Sequence, residues 1–164
     1  MRILLQRVRK ASVSIEGGIV ASINTGLLGL AGFGAADDAL LPTQPRWKTL
    51  LDKVPDLRIF PDEAGKMNVS LRDFGGQAEN AGTGELLLVS QFTLYADWRK
   101  GRRPSFDAAP PELARLLFGR LVEDMRARLP GRVHAGVFAA DMDVELLNWG
   151  PVTILLDDAV LQAS

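Results

Sequence analysis

The strongest restriction on the fold comes from Gly150-Pro151, a pair that stands directly before the apolar run 152–156. Proline has no N–H to donate to a neighbouring strand, so a strand built from this run must begin at Pro151 or just after it. Glycine before proline removes the Cβ that would crowd either isomer, and the cis form costs only about 0.5–1 kcal/mol here. The chain therefore turns at residues 149–151, after a separate strand over 144–148. Taken alone, the turn is an ordinary entry into a strand.

Apolar periodicity predicts the other elements. The run 85–94 is the strongest strand signal, and the run 27–33 lacks alternation, as a strand covered on both faces would. Apolar residues at three- and four-residue spacing predict a short helix over 45–54 and a long helix over 113–129. Strands and helices do not alternate steadily, and most neighbouring strands are joined by short turns. We predict an α+β fold with a largely antiparallel, barrel-like β-sheet core, one long and one short helix packed on it, and one domain over 1–164.

Composition excludes several kinds of chemistry. The chain has no cysteine, which excludes disulfides, thiolate nucleophiles and cysteine metal sites, and its single histidine excludes multi-histidine metal clusters. We therefore expect no metal and no cofactor. A serine–histidine–acid triad would have to use His134, whose segment alternates like a strand entering the sheet, so a structural or surface role is favoured. No spacing picks out a pair of carboxylates.

Charge and hydropathy restrict the partners. With 19 basic and 20 acidic side chains the formal charge is −1. No global positive field is available to hold a long nucleic-acid backbone, so any RNA contact must be local. No run reaches the roughly 18–20 apolar residues of a membrane span. We expect a cytoplasmic protein with no membrane partner.

Two polar segments are candidates for binding. Ser90, Gln91 and Thr93 stand at the C-terminal end of the run 85–94, where a strand would place Gln91 and Thr93 on one face and Ser90 on the other. Taken alone, they are a hydrogen-bonded edge of the core. A basic cluster follows, and its charge pattern alone favours a solvated loop. The cluster consists of Arg99, Lys100, Arg102 and Arg103.

Five short motifs, spread in order across nearly the whole chain, resemble the D-aminoacyl-tRNA deacylase family. They are GKMN (65–68), SQFTLYAD (90–97), KGRRPSF (100–106), FAADM (138–142) and NWGPVT (148–153). The sequence departs from the family pattern at Trp149, where an acidic residue is more usual, and in the Gly-rich stretch 77–84, which looks like an insertion. We expect a surface loop over 75–84.

The resemblance implies a hydrolase that cleaves the ester bond of D-aminoacyl-tRNA, and of mischarged glycyl-tRNA, releasing free amino acid and tRNA. It implies a homodimer in which the Gly-Pro corner of one subunit, with a cis bond, enters the pocket of the other. The implied catalytic residues are Ser90, Gln91, Phe92 and Thr93. The implied substrate-binding residues are Arg7, Phe138, Met142, Gly150 and Pro151. The aminoacylated 3′ end of the tRNA is the implied partner, with phosphates contacted by Arg99, Lys100, Arg102 and Arg103.

The chemistry of an aminoacyl ester bears on the mechanism. The threonine matching Thr93 has been a proposed nucleophile in this family, but a lone threonine hydroxyl without an adjacent base is a poor one. The substrate carries a ribose hydroxyl beside the ester carbonyl, which could activate or orient water. The protein would then need only to hold the ester and stabilise negative charge, with main-chain groups doing much of this.

Two alternatives stay open at this point. An esterase for another small ester or nucleotide would cleave aminoacyl-adenosine mimics without preference for configuration. A non-catalytic RNA- or DNA-binding module would show steep salt dependence of binding and no turnover, which the near-neutral charge disfavours. Release of amino acid from paired D- and L-aminoacyl-tRNA distinguishes all three.

Overall fold

The computed structural model of the protein describes residues 1–76 and 82–162. The expected surface loop over 75–84 includes residues 77–81, which lie outside the described residues. The strands of the described part are β1 (Arg2–Ile15), β2 (Gly18–Ile23), β3 (Gly26–Gly32), β4 (Phe60–Pro61), β5 (Met67–Val69), β6 (Glu85–Ser90), β7 (Ala96–Asp97), β8 (Ser105–Phe106), β9 (Val133–Ala135) and β10 (Asp143–Asp157). The helices are α1 (Pro45–Asp56) and α2 (Pro111–Arg128), and 3₁₀ turns cover Leu41–Thr43, Phe92–Tyr95 and Asp158–Gln162.

One main sheet organises the fold. Its strands lie in the order β10-β1-β3-β6-β9, and β2 pairs with β1. Strand β1 is antiparallel to β10, β2 and β3, whereas β6 is parallel to both β3 and β9. Parallel neighbours need long crossover connections, and α1 and α2 lie in those two connections. The predicted α+β fold, with one short and one long helix on a mainly antiparallel sheet, is confirmed, and the two crossovers add its parallel pairs.

Two apolar cores lie on opposite faces of this sheet. Because side chains alternate along a strand, Leu27 of β3 and Leu86 of β6 enter the larger core, which also holds the buried faces of both helices. Leu28 and Leu87 enter the smaller core on the other face. The expectation that the run 27–33 is covered on both faces is therefore confirmed.

Both helices are amphipathic, as predicted. Helix α1 begins at Pro45, where the missing N–H is tolerated because the first turn has no acceptor for it. It buries Trp47, whose indole N–H donates to Asp124 Oδ2 of α2 at 2.8 Å and so ties the helices together. Neither helix of the described residues has the length and apolarity to cross a membrane.

A single strand, β10, replaces the two strands predicted on either side of the Gly-Pro turn. Asn148 and Thr153 of β10 pair with Val8 and Gln6 of β1, which leaves Arg7 alone opposite four residues of β10. This is a β-bulge, an interruption that lets a strand bend and continue. The prediction of two separate strands is therefore wrong, because β1 holds both sides of the turn in one ladder.

The side chain of Asn148 closes this bulge. Its Oδ1 accepts a hydrogen bond from the Val152 N–H at 2.9 Å, and its Nδ2 donates to Thr153 Oγ1 at 3.0 Å. The bulge also accommodates Pro151, which has no N–H for the ladder. The turn at residues 149–151 is thus present, but it is built into a continuous strand.

Strand β6 ends at Ser90, four residues before the end predicted for it. The chain then enters the 3₁₀ turn Phe92–Tyr95, so the prediction that Gln91 and Thr93 share one face of a strand is wrong. The turn packs closely on β3, because a Cβ added at Gly32 would lie only 2.6 Å from the Gln91 carbonyl oxygen. Local propensity does not encode such close packing against a neighbouring backbone, so this contact is not visible in the sequence.

Candidate active site

A cleft of about 520 Å³ opens where β3 and β6 end, between the start of α2 and the segment 138–142. The two strands are parallel, so their C-terminal ends meet at one edge of the sheet, where ligands commonly bind. Five residues named from the sequence line the cleft: Ser90, Gln91, Phe92, Phe138 and Met142. Most of the remaining lining is small: Ala31, Gly32, Ala108, Ala109, Pro111, Ala114, Ala139 and Ala140. Small side chains leave the main chain accessible to a ligand.

Gln91 and Thr93 are joined by a side-chain hydrogen bond. Gln91 Nε2 donates to Thr93 Oγ1 at 2.5 Å, and Thr93 is exposed and does not line the cleft. His134 Nε2 lies 3.1 Å from Glu85 Oε1, at the N-terminal end of β6 and hence at the far end from the cleft. The one histidine of the chain is therefore not a base for Thr93.

The 3₁₀ turn Phe92–Tyr95 begins at the edge of the cleft, since Phe92 lines it. Its first hydrogen bond runs from the Leu94 N–H to the Gln91 carbonyl at 3.4 Å. The N–H groups of Phe92 and Thr93 consequently have no acceptor within the turn. Two such donors can stabilise negative charge on an ester oxygen.

The segment 138–142 forms the opposite wall of the cleft. Ala139 has a φ of +62°, in the left-handed region that residues other than glycine seldom enter. Phe138 is held by the Arg115 guanidinium, 4.8 Å from the ring centroid, and by the Phe118 ring at 6.1 Å between centroids. Unusual backbone conformations cluster at binding sites, so this one supports a role for the wall in binding.

The ionisable groups of the cleft are few. Asp141 is the one carboxylate among the described residues that line it. Within residues 1–76 and 82–162, no group of three histidine, aspartate or glutamate side chains is placed to hold a metal ion. Among the described residues, the cleft lining therefore includes the Ser90 hydroxyl and the Gln91 amide but no paired acid and base.

The Gly150-Pro151 corner does not belong to this cleft within one chain. Neither Gly150, Pro151 nor the opposing Arg7 is part of the cleft lining. The peptide bond at the corner is cis, as expected, and both of its residues are exposed. Arg7 is buried beneath the corner: its Nε donates to the Trp149 carbonyl at 2.9 Å, and its Nη1 donates to the Ile59 carbonyl. Apart from Thr93 and the basic cluster, the structure thus divides the predicted site residues into a cleft group and a corner group.

Trp149 supports the corner, a role that the motifs did not reveal. The guanidinium carbons of Arg7 and Arg9 lie 4.4 and 3.4 Å from the centroid of its ring. Phe60 and Phe74 meet it edge to face, with centroids 6.3 and 6.1 Å away. Burial, reinforced by the nearby Arg9 charge, lowers the pKa of Arg7. The negative face of the indole offsets this repulsion between two cations. The signal in the sequence is that Trp149 departs from the acidic residue that the resemblance implies at this position.

The basic cluster lies in the loop between β7 and β8. Arg99 donates to the Asp97 carboxylate from Nε at 2.8 Å and from Nη2 at 2.7 Å. These hydrogen bonds lower the pKa of Asp97 to about 2. The other three cations, Lys100, Arg102 and Arg103, are exposed and form no ion pair within the described part of the chain. The cluster therefore offers three uncompensated cations to a phosphate.

Two comparisons of sequence identify the family. The model of the D-Tyr-tRNA(Tyr) deacylase family matches residues 4–157. A D-aminoacyl-tRNA deacylase of Nitratidesulfovibrio vulgaris (strain DP4) is 59% identical over 162 residues, which cover 98% of this chain and 95% of the relative. A D-aminoacyl-tRNA deacylase of Solidesulfovibrio magneticus is 60% identical over 162 residues, 98% of each chain.

Two solved structures share the fold of this chain. The c-Myc DNA Unwinding Element Binding Protein is 34% identical, with a TM-score of 0.82 over 96% of this chain and 98% of that one. A probable eukaryotic D-amino acid tRNA deacylase, at 17% identity, shares the fold with a TM-score of 0.65 over 94% of this chain and 97% of that one. The resemblance of the five motifs is therefore confirmed, and the chain belongs to the D-aminoacyl-tRNA deacylase family, a family of hydrolases.

Proposed function

We propose that this protein hydrolyses the ester bond of D-aminoacyl-tRNA, and of mischarged glycyl-tRNA, to free amino acid and tRNA. The observation that carries the proposal is the cleft wall: among the described residues it has mostly small side chains and one carboxylate, Asp141, without a base to pair with it. An aminoacyl ester on RNA suits such a cleft because a ribose hydroxyl stands beside the reacting carbonyl. A substrate without that hydroxyl would need a base that the cleft lacks.

The reaction requires addition of water to the ester carbonyl carbon. The neighbouring ribose hydroxyl orients the water, and the N–H groups of Phe92 and Thr93 donate to the carbonyl oxygen as it becomes negative. The bond to the ribose oxygen then breaks, and that oxygen takes up the proton lost by the water. One well-placed donor of this kind contributes about 2.7–4 kcal/mol. Gln91 positions these donors, because its carbonyl and its amide both bond to the turn that carries them.

The active form in this proposal is a homodimer in which the corner of each subunit enters the cleft of the other. Gly150 and Pro151 are exposed, and they do not line the cleft of their own chain. Strand β10 is an edge strand of 15 residues with Leu147 and Leu155 each 52% exposed, and such an edge is suited to a partner. Two-fold symmetry makes the exchange reciprocal and produces two equivalent sites.

Selectivity in this proposal is rejection of the L-configuration by the backbone. Discriminating two enantiomers by ~10⁴ needs about 5.4 kcal/mol, whereas losing one methylene contact provides only about 1–3 kcal/mol. If the Gly150 carbonyl accepts from the α-amino group and the ester is held at Gln91, the third substituent of Cα has one direction. A D side chain then points to solvent and an L side chain into the main chain. Glycine passes because it has no side chain.

The tRNA in this proposal contacts the protein through its aminoacylated 3′ end. The exposed cations of the basic cluster, together with Arg99, supply a local positive surface for its phosphates. We place the activity in the cytoplasm, where aminoacyl-tRNA is used, and in one domain over residues 1–164.

Release of amino acid from paired D- and L-aminoacyl-tRNA tests the proposal. We expect D-aminoacyl-tRNA and glycyl-tRNA to be cleaved and L-aminoacyl-tRNA to persist. Replacing the ribose hydroxyl beside the ester with hydrogen should abolish turnover of the D substrate, because the cleft has no substitute for it. Equal cleavage of both enantiomers would refute the selectivity model, and turnover without the hydroxyl would refute the mechanism.

Mixing two defective variants tests the shared site. Gln91→Ala damages the cleft and Pro151→Glu obstructs the corner. If each site combines two subunits, about half of the dimers in a fully exchanged equal mixture are mixed, and each mixed dimer has one site with both parts intact. About a quarter of all sites are then competent, so activity should recover to about a quarter of that of the unchanged protein. No recovery after confirmed subunit exchange, or an active monomer in ultracentrifugation, would contradict the shared site.

A second candidate function is non-catalytic binding of nucleic acid. It is favoured by the three uncompensated cations of the basic cluster and by likeness to a protein that is named for binding a DNA unwinding element. This function predicts steep salt dependence of DNA binding and no release of amino acid.

A further inference from the structure

A second cleft, of about 640 Å³, adjoins the one described above. It lies over β7 and β8, and its walls include Tyr95, Trp98 and Phe106. The partition between the two clefts is thin: Phe92 lines the first, Phe106 lines the second, and the centroids of the two rings are 4.9 Å apart. Asp107 and Ala108, which are consecutive in the chain, line the second and the first cleft respectively. The two clefts are therefore neighbours, separated by the Phe92–Phe106 pair.

Trp98 is placed differently from the other two tryptophans. Its exposed fraction is 79%, whereas Trp47 is 2% exposed and Trp149 is packed between arginines and phenylalanines. Tryptophan is highly buried on average, so one held in solvent at the edge of a cleft indicates a surface for binding. Trp98 makes no aromatic or cation–π contact within residues 1–76 and 82–162.

The backbone on both sides of Trp98 is fixed. Asp97 accepts hydrogen bonds from the main-chain N–H of Arg99 at 3.0 Å and from its guanidinium. Strand β7 pairs Asp97 with Ser105 of β8. A ligand that stacks on the ring does not have to order this stretch of backbone, which lowers the entropic cost of binding.

Charges around the cleft favour an anionic ligand. Asp97 is neutralised by Arg99, and Asp107 is the other carboxylate of the cleft wall. Lys100, Arg102 and Arg103 follow in the same loop without a carboxylate partner in the described residues. An aromatic platform beside uncompensated cations is the arrangement by which proteins bind single-stranded nucleic acid, because bases stack on the ring and phosphates meet the cations.

We propose that Trp98 is a stacking platform for the nucleotide that precedes the 3′-terminal adenosine of the tRNA. The inference rests on the proposed function, which places the aminoacylated adenosine in the first cleft. The preceding base lies on the indole, and its phosphate faces the loop 100–103. The contact involves no hydrogen bonds to base edges, so it accepts any base.

The kinetic test compares two substrates. D-aminoacyl-adenosine ends before the proposed contact, whereas D-aminoacyl-tRNA reaches it. Base–aromatic stacking predicts that Trp98→Ala lowers the ratio of kcat/KM for the tRNA to kcat/KM for the adenosine about 5- to 150-fold, mainly through KM. Trp98→Phe should restore most of the ratio and Trp98→Leu should not, because leucine is apolar but has no π face. Leu116→Ala, at an exposed apolar position on α2, is the matched control.

A binding measurement tests Trp98 without turnover. The probes are an oligoribonucleotide that ends in CCA and carries no amino acid, and free adenosine. The readout is tryptophan fluorescence. We expect the oligoribonucleotide to quench the fluorescence and Trp98→Phe to remove most of the quenching. Trp98→Ala should leave the salt dependence of binding unchanged, whereas Lys100→Ala should reduce its slope by about 0.7.

Each failure has its own pattern. Equal losses on both substrates in Trp98→Ala, or an unchanged ratio together with unchanged binding of the oligoribonucleotide, would overturn the platform. If neither substrate were cleaved by the unchanged protein, the proposed function would fail, and the fluorescence result alone would decide whether Trp98 binds RNA.

Discussion

Replacing Trp149 by alanine should destabilise the protein strongly, although the side chain is only half-buried. The indole contacts the guanidinium groups of Arg7 and Arg9 and the rings of Phe60 and Phe74. A cation–π contact at a partly exposed site contributes about 0.5–1 kcal/mol. An edge-to-face aromatic contact contributes about 0.5–1.5 kcal/mol. Since such contacts are not fully additive, we expect Trp149→Ala to lower the free energy of unfolding by about 2–4 kcal/mol.

Urea denaturation at one fixed protein concentration measures this loss, and the fixed concentration matters because a dimer would make stability depend on it. Trp98→Ala is the matched control, since it removes the same side chain from an exposed position and should cost less than about 0.5 kcal/mol. Trp149→Phe should retain part of the stability because a ring remains. If Trp149→Ala and Trp98→Ala had the same stability, the indole would not brace the corner, and the reasoning would be wrong.

Three further predictions concern the turn at the first cleft, its packing on β3, and the Asp97–Arg99 pair beside the second cleft. Thr93→Ala should keep substantial activity, while Gln91→Ala should lower kcat more, because Thr93 has no base and does not line the cleft, whereas Gln91 lines it. Loss of all turnover in a Thr93→Ala variant that still folds and binds tRNA would restore the threonine nucleophile. Gly32→Ala should lower kcat, because the new Cβ would lie 2.6 Å from the Gln91 carbonyl oxygen and displace it. The control Gly119→Ala, in open space on α2, should leave kcat unchanged and stabilise the protein by at most about 1 kcal/mol. The same kcat in both variants would contradict this. Because the pKa of Asp97 is lowered to about 2, its hydrogen bonds to Arg99 should persist above about pH 4 and be lost as the pH falls through about 2. An NMR titration of the Asp97 carboxylate with a midpoint near the usual 3.9 would contradict the pairing.

The sequence predicts the fold class well because its signals are periodic. The helix stripes and the run 27–33 show which faces are buried without any knowledge of the tertiary contacts. The end of β6 is not predictable in this way, because it depends on how closely Gly32 approaches Gln91, and these residues are far apart in the chain. The continuity of β10 depends on pairing with β1, which local residues do not encode.

The candidate site is only partly readable for a related reason. Motif likeness indicates residues such as Gln91 and Phe138, but it does not show that Thr93, in the same motif as Gln91, lies outside the cleft lining. Trp149 departs from the family pattern, and Trp98 lies between two of the motifs. The roles of both therefore become visible only once their neighbours in the structure are known. Main-chain donors carry no residue signature at all, since every residue except proline has the same N–H.

The bulge in β10 makes the exposed corner intolerant of changes in length. Upstream of the corner Val144 and Leu146 pack on the smaller core, whereas downstream Val152 and Ile154 pack on the larger one. All four are even-numbered, and in a regular strand they would all face the same side of the sheet. The four residues opposite Arg7 shift the alternation by one residue, so the two halves of β10 pack on opposite faces of the sheet. Inserting or deleting one residue at the corner would reverse that shift and turn the downstream apolar side chains away from their core. Surface turns commonly vary in length between relatives, but this one is held to a fixed length by the cores on either side of the sheet.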